Sequence, residues 1–328
     1  FLWLEGYVVA AHASPDADGY FAQARLLATQ GRVTYRAESP MQYIGFHWLE
    51  AEKGRFISRY PPGLPLLLAA AWRIGGPEAA FGVNAALATA TLLALFLLCR
   101  PWVGGGLALA AALVFAVHPL ANRHALHADA HTAAAFFLVG GLWLLAAWGR
   151  RPAGWKAFFA GLALGVVPCI RFAEAAAGLG AALFLALQLP RLAGKRRQVL
   201  WALLGAAIPV GLQLAYNHYG YGAFWRTGYS LTNEQQLSWE DLRRNCEPFL
   251  DALATDGAGL FFAFGLAGLG TMLVQRATRP LAACLAAAIA GITGVYAGYY
   301  FSSGPGMGWL RFRSEERRVG KECRSRWS

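Results

Sequence analysis

The sequence predicts an all-α polytopic membrane protein, and three observations carry that prediction. The 328 residues are 57% hydrophobic and only 14% charged, with a mean hydropathy of +0.38, outside the usual range of soluble globular chains. Apolar runs of about 17–25 residues, long enough to cross a bilayer as a helix, recur along most of the chain. Short basic connections alternate with long polar ones, as in a chain that threads a membrane repeatedly.

In chain order the apolar spans read as a first one ending at residue 13, then 79–99, 104–121 and 130–148. A tight pair follows over 157–190, then 199–216, 257–275 and 281–300. One set of connections is short and basic: Arg100; Arg150, Arg151 and Lys156; Arg191, Lys195, Arg196 and Arg197; Arg276 and Arg279. These hold ten Lys or Arg and no acid, which the positive-inside rule assigns to the cytoplasm. The other set (14–78, 122–130, 168–174, 217–256 and 301–312) holds most of the acids and falls on the extracytoplasmic side.

The first outer connection is too long for a simple link. "GYFAQARLLATQG" has helical spacing, with Gly31 as a stop and Asp18 placed to cap a helix that begins near Gly19. "RVTYRAESPMQYIGFHWLEAEKGRF" suits a small hairpin or irregular element. "YPPGLPLLLAAAWRIGG" opens with prolines, as helices often do, and reads as an interfacial helix. The outer face is then a layer of juxtamembrane helices over the bundle.

The net charge of +11 does not indicate nucleic acid. The last sixteen residues, "RSEERRVGKECRSRWS", contribute six basic and three acidic residues and lack apolar periodicity. They resemble the in-frame translation of a sequencing adapter, so residues 313–328 read as a non-native, disordered tail. With no initiator Met and only a partial first span, residues 1–312 read as a fragment truncated at both ends. Outside the tail, Cys99, Cys169, Cys246 and Cys284 are scattered, which suggests neither a disulfide framework nor a CxxC metal site.

Four polar sets converge on the outer face. Asp16 and Asp18, in "SPDADGYFAQAR", are candidate catalytic carboxylates. In "RHALHADAHTAAAF", Asp129 lies at the mouth of a span, where an acid is a functional candidate. On one continuous helix His124, His127 and His131 would share a face, and His127, Asp129 and His131 form a candidate metal set. Arg171 in "VVPCIRFAEAAAG" either clamps a phosphate or pairs locally with Glu174. Arg59 and Tyr60 in "SRYPPG", with Arg311 in "GPGMGWLRF", are headgroup anchors or substrate contacts.

Taken together, these stretches resemble the GT-C class of integral-membrane glycosyltransferases. The likeness is to the branch of protein mannosyltransferases, aminoarabinose transferases and the Rgt-type sugar transferases of bacterial lipopolysaccharide. "DADGYFAQAR" offers Asp16, Tyr20 and Arg25 where that family's first outer loop has an Asp-Glu-x-x-Tyr pattern and an Arg. Ala17 stands at the family's Glu. "RYPPGLPLLL" matches the Pro-Pro helix, Asp129 the outer acid, Arg171 the basic turn, and "NHYGYGAFWRTGY" the loop after a later span. The resemblance implies a GT-C-like bundle that transfers a sugar, with inversion, from a polyprenyl-phosphate-linked donor. The acceptor would be a lipid, glycan or protein at the extracytoplasmic face of a bacterial inner membrane. It implies Asp16 as base, with Arg59, Tyr60, Tyr20, Arg171 and Arg311 around the donor, and leaves a divalent metal open. The rival is a transporter or flippase of lipid-linked sugars; such proteins place ionisable groups mid-membrane and show internal repeats, and this chain shows no repeat.

Overall fold

The computed structural model describes residues 4, 6–7, 15–39, 45, 47–52, 54–191, 196–232, 237–257 and 259–299. The first predicted span falls largely outside them, and the 313–328 tail and Arg311 wholly so. The described chain is helical throughout its apolar segments. α1 is Pro15–Gln30, and strands β1 (Thr34–Arg36), β2 (Trp48–Glu52) and β3 (Arg55–Ser58) follow. Then come α2 (Gly63–Phe81), α3 (Val83–Ala116), α4 (Pro119–Leu126), α5 (Ala130–Arg150) and α6 (Gly154–Ile170). A 3-10 turn at Ala173–Ala176 leads into α7 (Ala177–Gln188), followed by α8 (Arg197–Tyr221) and the short α9 (Gly228–Leu231). The last are α10 (Trp239–Ala252), α11 (Leu260–Val274) and α12 (Arg279–Gly298).

Among the described residues α3, α5, α8 and α12 are long and apolar enough to cross a membrane. A bent pair, Trp239–Thr255 with Leu260–Val274 at 103°, makes up to five spans. Many large apolar side chains on these helices face outward, such as Leu107, Leu200, Leu212 and Phe264. That is costly in water and natural in lipid. The protein is an all-α, multi-pass membrane protein.

The predicted spans 79–99 and 104–121 are joined. α3 runs through 34 residues, interrupted by non-helical backbone at Gly104 (φ 79°), just after Pro101. Its second part stops at Ala116, and residues up to 126 belong largely to α4 instead, because Pro119 starts a new helix at its first position. The predicted pair over 157–190 is present as α6 and α7, hinged at Arg171–Ala176.

Helix packing follows membrane rules, with small residues at the contact. α6 lies against α8 through Gly161 and Gly205. A Cβ on Gly161 would fall 1.9 Å from the Ala202 carbonyl oxygen, and one on Gly205 2.0 Å from that of Phe158. Backbones this close leave room for hydrogen alone. Trp148, Leu145, Ala157, Ala160, Phe184 and Cys284 fill the core beside this contact.

The first outer connection is packed onto the bundle, sharing one core cluster with Ala130, Ala133, Ala134 and Ile170. α1 buries Tyr20, Phe21 and Ala24 against Leu64 and Leu68 of α2, and Phe21 stacks on Phe81 at 4.2 Å. Gly31 ends α1 at φ 64°, as the sequence predicts. The aromatic stretch after it forms a three-stranded antiparallel sheet in the order β1-β3-β2. It is more regular than a hairpin, because Tyr35 packs on both Trp48 and Phe56 across the strands.

Candidate functional site

The polar side chains gather at one end of the bundle, where α5 and α1 begin and where α6, α8 and α12 end. The basic residues Arg150, Lys156, Arg197 and Arg279 occupy the opposite ends of α5, α6, α8 and α12. A helix the length of α5 spans about 32 Å, so the two sets are separated by about a bilayer core.

Asp16 and Asp18 both lie in the first turn of α1, exposed, where a helix favours negative charge. This corrects the expected start near Gly19. Asp18 is inside the helix and does not cap it, because the helical backbone already includes Pro15. Asp16 accepts a hydrogen bond from the Tyr60 hydroxyl at 2.5 Å. Gly19, one turn on, makes that approach possible, since a Cβ there would sit 2.4 Å from the Tyr60 ring.

Tyr60 is the hub of this half of the site. It is buried and packs on Tyr20 at 4.5 Å and on Tyr229 at 6.1 Å. The Arg59 guanidinium lies over both the Tyr60 and Tyr229 rings, at 5.2 and 5.7 Å, and donates to the Tyr60 hydroxyl at 3.4 Å. Burial and then the Asp16 charge push the Tyr60 hydroxyl far above the ordinary tyrosine range, so it stays a donor. Burial likewise raises Tyr20 and Tyr229. His47 stacks on Tyr60 at 6.3 Å. Burial and then Arg59 lower its pKa, against the opposing pull of Asp18 and Asp16.

Arg171 anchors the other half. It follows the last turn of α6, and its Nε donates to Glu174 Oε1 at 2.7 Å, so the local ion pair that the sequence allowed is present. Its other nitrogens contact His131 Nε2 at 3.3 Å and the Tyr296 hydroxyl. Tyr296 in turn donates to Glu174 Oε1 at 2.8 Å. The second Glu174 oxygen is buried with no hydrogen-bond partner among the described residues. Between the two halves lies a cavity of about 570 Å³ lined by Tyr20, Arg171, Glu174, Tyr229, Tyr296 and Tyr299, among others, within the range of small-molecule sites.

The histidine segment departs from the sequence expectation. α4 ends at Leu126, His127 is extended (φ −112°, ψ 147°) and α5 starts at Ala130, so His124, His127 and His131 do not share one helix. The buried Asn84 amide holds the break by donating to the carbonyls of His127 and Asp129, which the interrupted helix would otherwise leave unpaired. Asp129 caps α5, accepting from the His131 N–H at 3.1 Å, and its other oxygen meets His124 Nδ1 at 2.6 Å. In this structure Asp129 therefore ties the start of α5 to the His124 ring. The donor set brought together is His124, Asp129 and His131, with His124 in the place expected for His127.

Sequence reasoning placed Asp16, Tyr20, Arg59, Tyr60 and Arg171 in one constellation, and the structure brings them together. Arg25 is exposed on α1. Tyr229 and Tyr296 were missed as site residues. Tyr229 closes the "NHYGYGAFWRTGY" stretch and Tyr296 ends a span, where tyrosines serve equally as interface anchors, so residue type alone does not mark them.

The fold and this polar end define a multi-pass membrane protein with a tyrosine- and arginine-lined cavity at one mouth of the bundle. No family model, curated protein or solved structure matches the chain.

Proposed function

We propose that the protein is an inverting glycosyltransferase that moves a sugar from a polyprenyl-phosphate-linked donor to a lipid, glycan or protein acceptor. The reaction takes place at the extracytoplasmic face of a bacterial inner membrane. One observation carries the reading: a carboxylate, Asp16, is held by Tyr60, which packs on Tyr20 and Tyr229, two of the four tyrosines that line a cavity with the Arg171–Glu174 pair. A lipid-linked donor needs a carboxylate to take the acceptor's proton, cations for the leaving phosphate, and polar walls for the sugar.

In this mechanism Asp16 takes the proton of the acceptor hydroxyl as its oxygen attacks the anomeric carbon. The carbon–oxygen bond to the phosphate breaks on the opposite face, and polyprenyl phosphate leaves with the electron pair. Arg59 meets the charge that develops on the phosphate. Arg171 is already engaged by Glu174, His131 and Tyr296, so it contributes less net charge than a lone guanidinium and chiefly shapes the cavity.

The test is transfer by the full-length protein in proteoliposomes from radiolabelled polyprenyl-phosphate sugars to extracted envelope glycolipids and glycans. A new glycosidic product from the wild type, lost in Asp16→Asn, is the expected result. Movement of the lipid-linked sugar across the bilayer without a new glycosidic bond would establish the transporter reading in its place.

A further inference from the structure

We propose that His124, Asp129 and His131 form a binding site for a zinc-like transition-metal ion at the mouth of the bundle. Their ligand atoms all lie within 4.8 Å of one another. The imidazoles of His124 and His131 lie 4.1 Å apart, and the His124 and Asp129 side chains are only 29% and 14% exposed. The site exists because the chain breaks between α4 and α5: one histidine comes from the last turn of α4, the carboxylate from the break, and the second histidine from the first turn of α5.

Donor chemistry selects the ion. Two imidazole nitrogens and one carboxylate suit zinc or cobalt, whereas magnesium and calcium take oxygen ligands. Three protein ligands leave one tetrahedral position open, as in metal sites that bind a substrate or water. Bonds of about 2.0–2.1 Å place tetrahedral ligands roughly 3.3 Å apart. The 2.6 Å between His124 Nδ1 and Asp129 Oδ2 therefore has to widen by less than about 1 Å.

The surroundings support the ligands. Asp129 is oriented through its other oxygen by the His131 N–H, and Asn84 fixes the carbonyls on both sides of the break. Outer contacts of this kind set ligand direction. Arg171 touches His131 Nε2 at 3.3 Å. It retains Glu174 and Tyr296 if an ion takes that nitrogen, and Glu174 offsets its charge.

This site stands apart from the sugar-transfer reading, and its test does not use activity. The full chain, purified in detergent and stripped with chelator, is titrated with Co²⁺ alone and followed by visible ligand-field absorption, with Zn²⁺ and Mg²⁺ as competitors. The expected result is one ion per chain with tetrahedral absorption, displaced by Zn²⁺ and not by Mg²⁺. His124→Ala and His131→Ala should weaken binding by about 100-fold or more, since even outer-shell losses cost about 10–100-fold. Asp129→Asn should weaken binding while keeping the cap and the fold, because Asn caps a helix about as well as Asp. His127→Ala should bind like wild type. Absence of stoichiometric binding by the wild type, displacement by Mg²⁺, wild-type binding by a well-folded Asp129→Asn, or loss in His127→Ala would each overturn the proposal.

Discussion

At Asp16 the 2.5 Å contact from Tyr60 ties the candidate base to the aromatic cluster, and this makes the two acids of the first turn unequal. Asp16→Asn should lower transfer by about 10²–10⁴-fold, the usual contribution of a positioned general base, with detergent melting unchanged. Asp18→Asn should cost far less, since it keeps its place in the same turn. A dead Asp18→Asn beside an active Asp16→Asn would exchange their roles. Tyr60→Phe removes a hydrogen bond to a charged group and should cost roughly 10–100-fold in rate, from about 1.5–3 kcal/mol. His47 gives a pH signature. Its folded pKa lies below the ordinary histidine value, so between the two values the unfolded chain binds more protons and stability rises with pH. Stability should therefore fall as pH drops below roughly 6.5. In thermal melts His47→Gln should flatten that fall, and an identical slope in the variant would remove His47 from the account.

At the scale of elements, the contact between α6 and α8 depends on the absence of side chains. Gly161→Leu would drive a side chain into the Ala202 carbonyl and should destabilise by about 1–3 kcal/mol or more, the cost of overpacking. Gly211, also on α8, has nothing within 4 Å of an added Cβ. Gly211→Ala should be neutral or stabilise by up to about 1 kcal/mol, and detergent melting of the pair separates packing from propensity. The histidine segment marks where element-level reading fails. The period from His124 to His131 is helical, but Asp129 is a better N-cap than an interior residue. The cap prevails because Asn84, distant in sequence, pays for the open backbone with two hydrogen bonds. In the first outer connection local signals sufficed for Gly31, the proline-led α2 and the aromatic strands. They failed for the start of α1, because Asp is as favourable in a first turn as at a cap.

Across the whole molecule, the separation of basic and site ends gives the topology a direct test. With the exposed Cys246 and the tail's Cys323 both replaced by Ser, Trp225→Cys should react with an impermeant maleimide on intact cells, while Arg151→Cys should react only after permeabilisation. The reverse pattern would invert the proposed orientation. The sequence by itself determined the membrane class, the order of most spans and the grouping of acids against bases. Each of these depends on hydropathy and charge summed over about twenty residues, and a lipid solvent enforces that sum locally. Only the tertiary structure decided which polar residues meet. The hydroxyl of Tyr60 reaches Asp16 across 44 positions, and Arg171 meets Tyr296 across 125. Such pairings depend on close approaches that glycine permits, of the Tyr60 ring at Gly19 and of the Ala202 backbone at Gly161. That closeness is set by helices far apart in sequence and leaves no period in either segment.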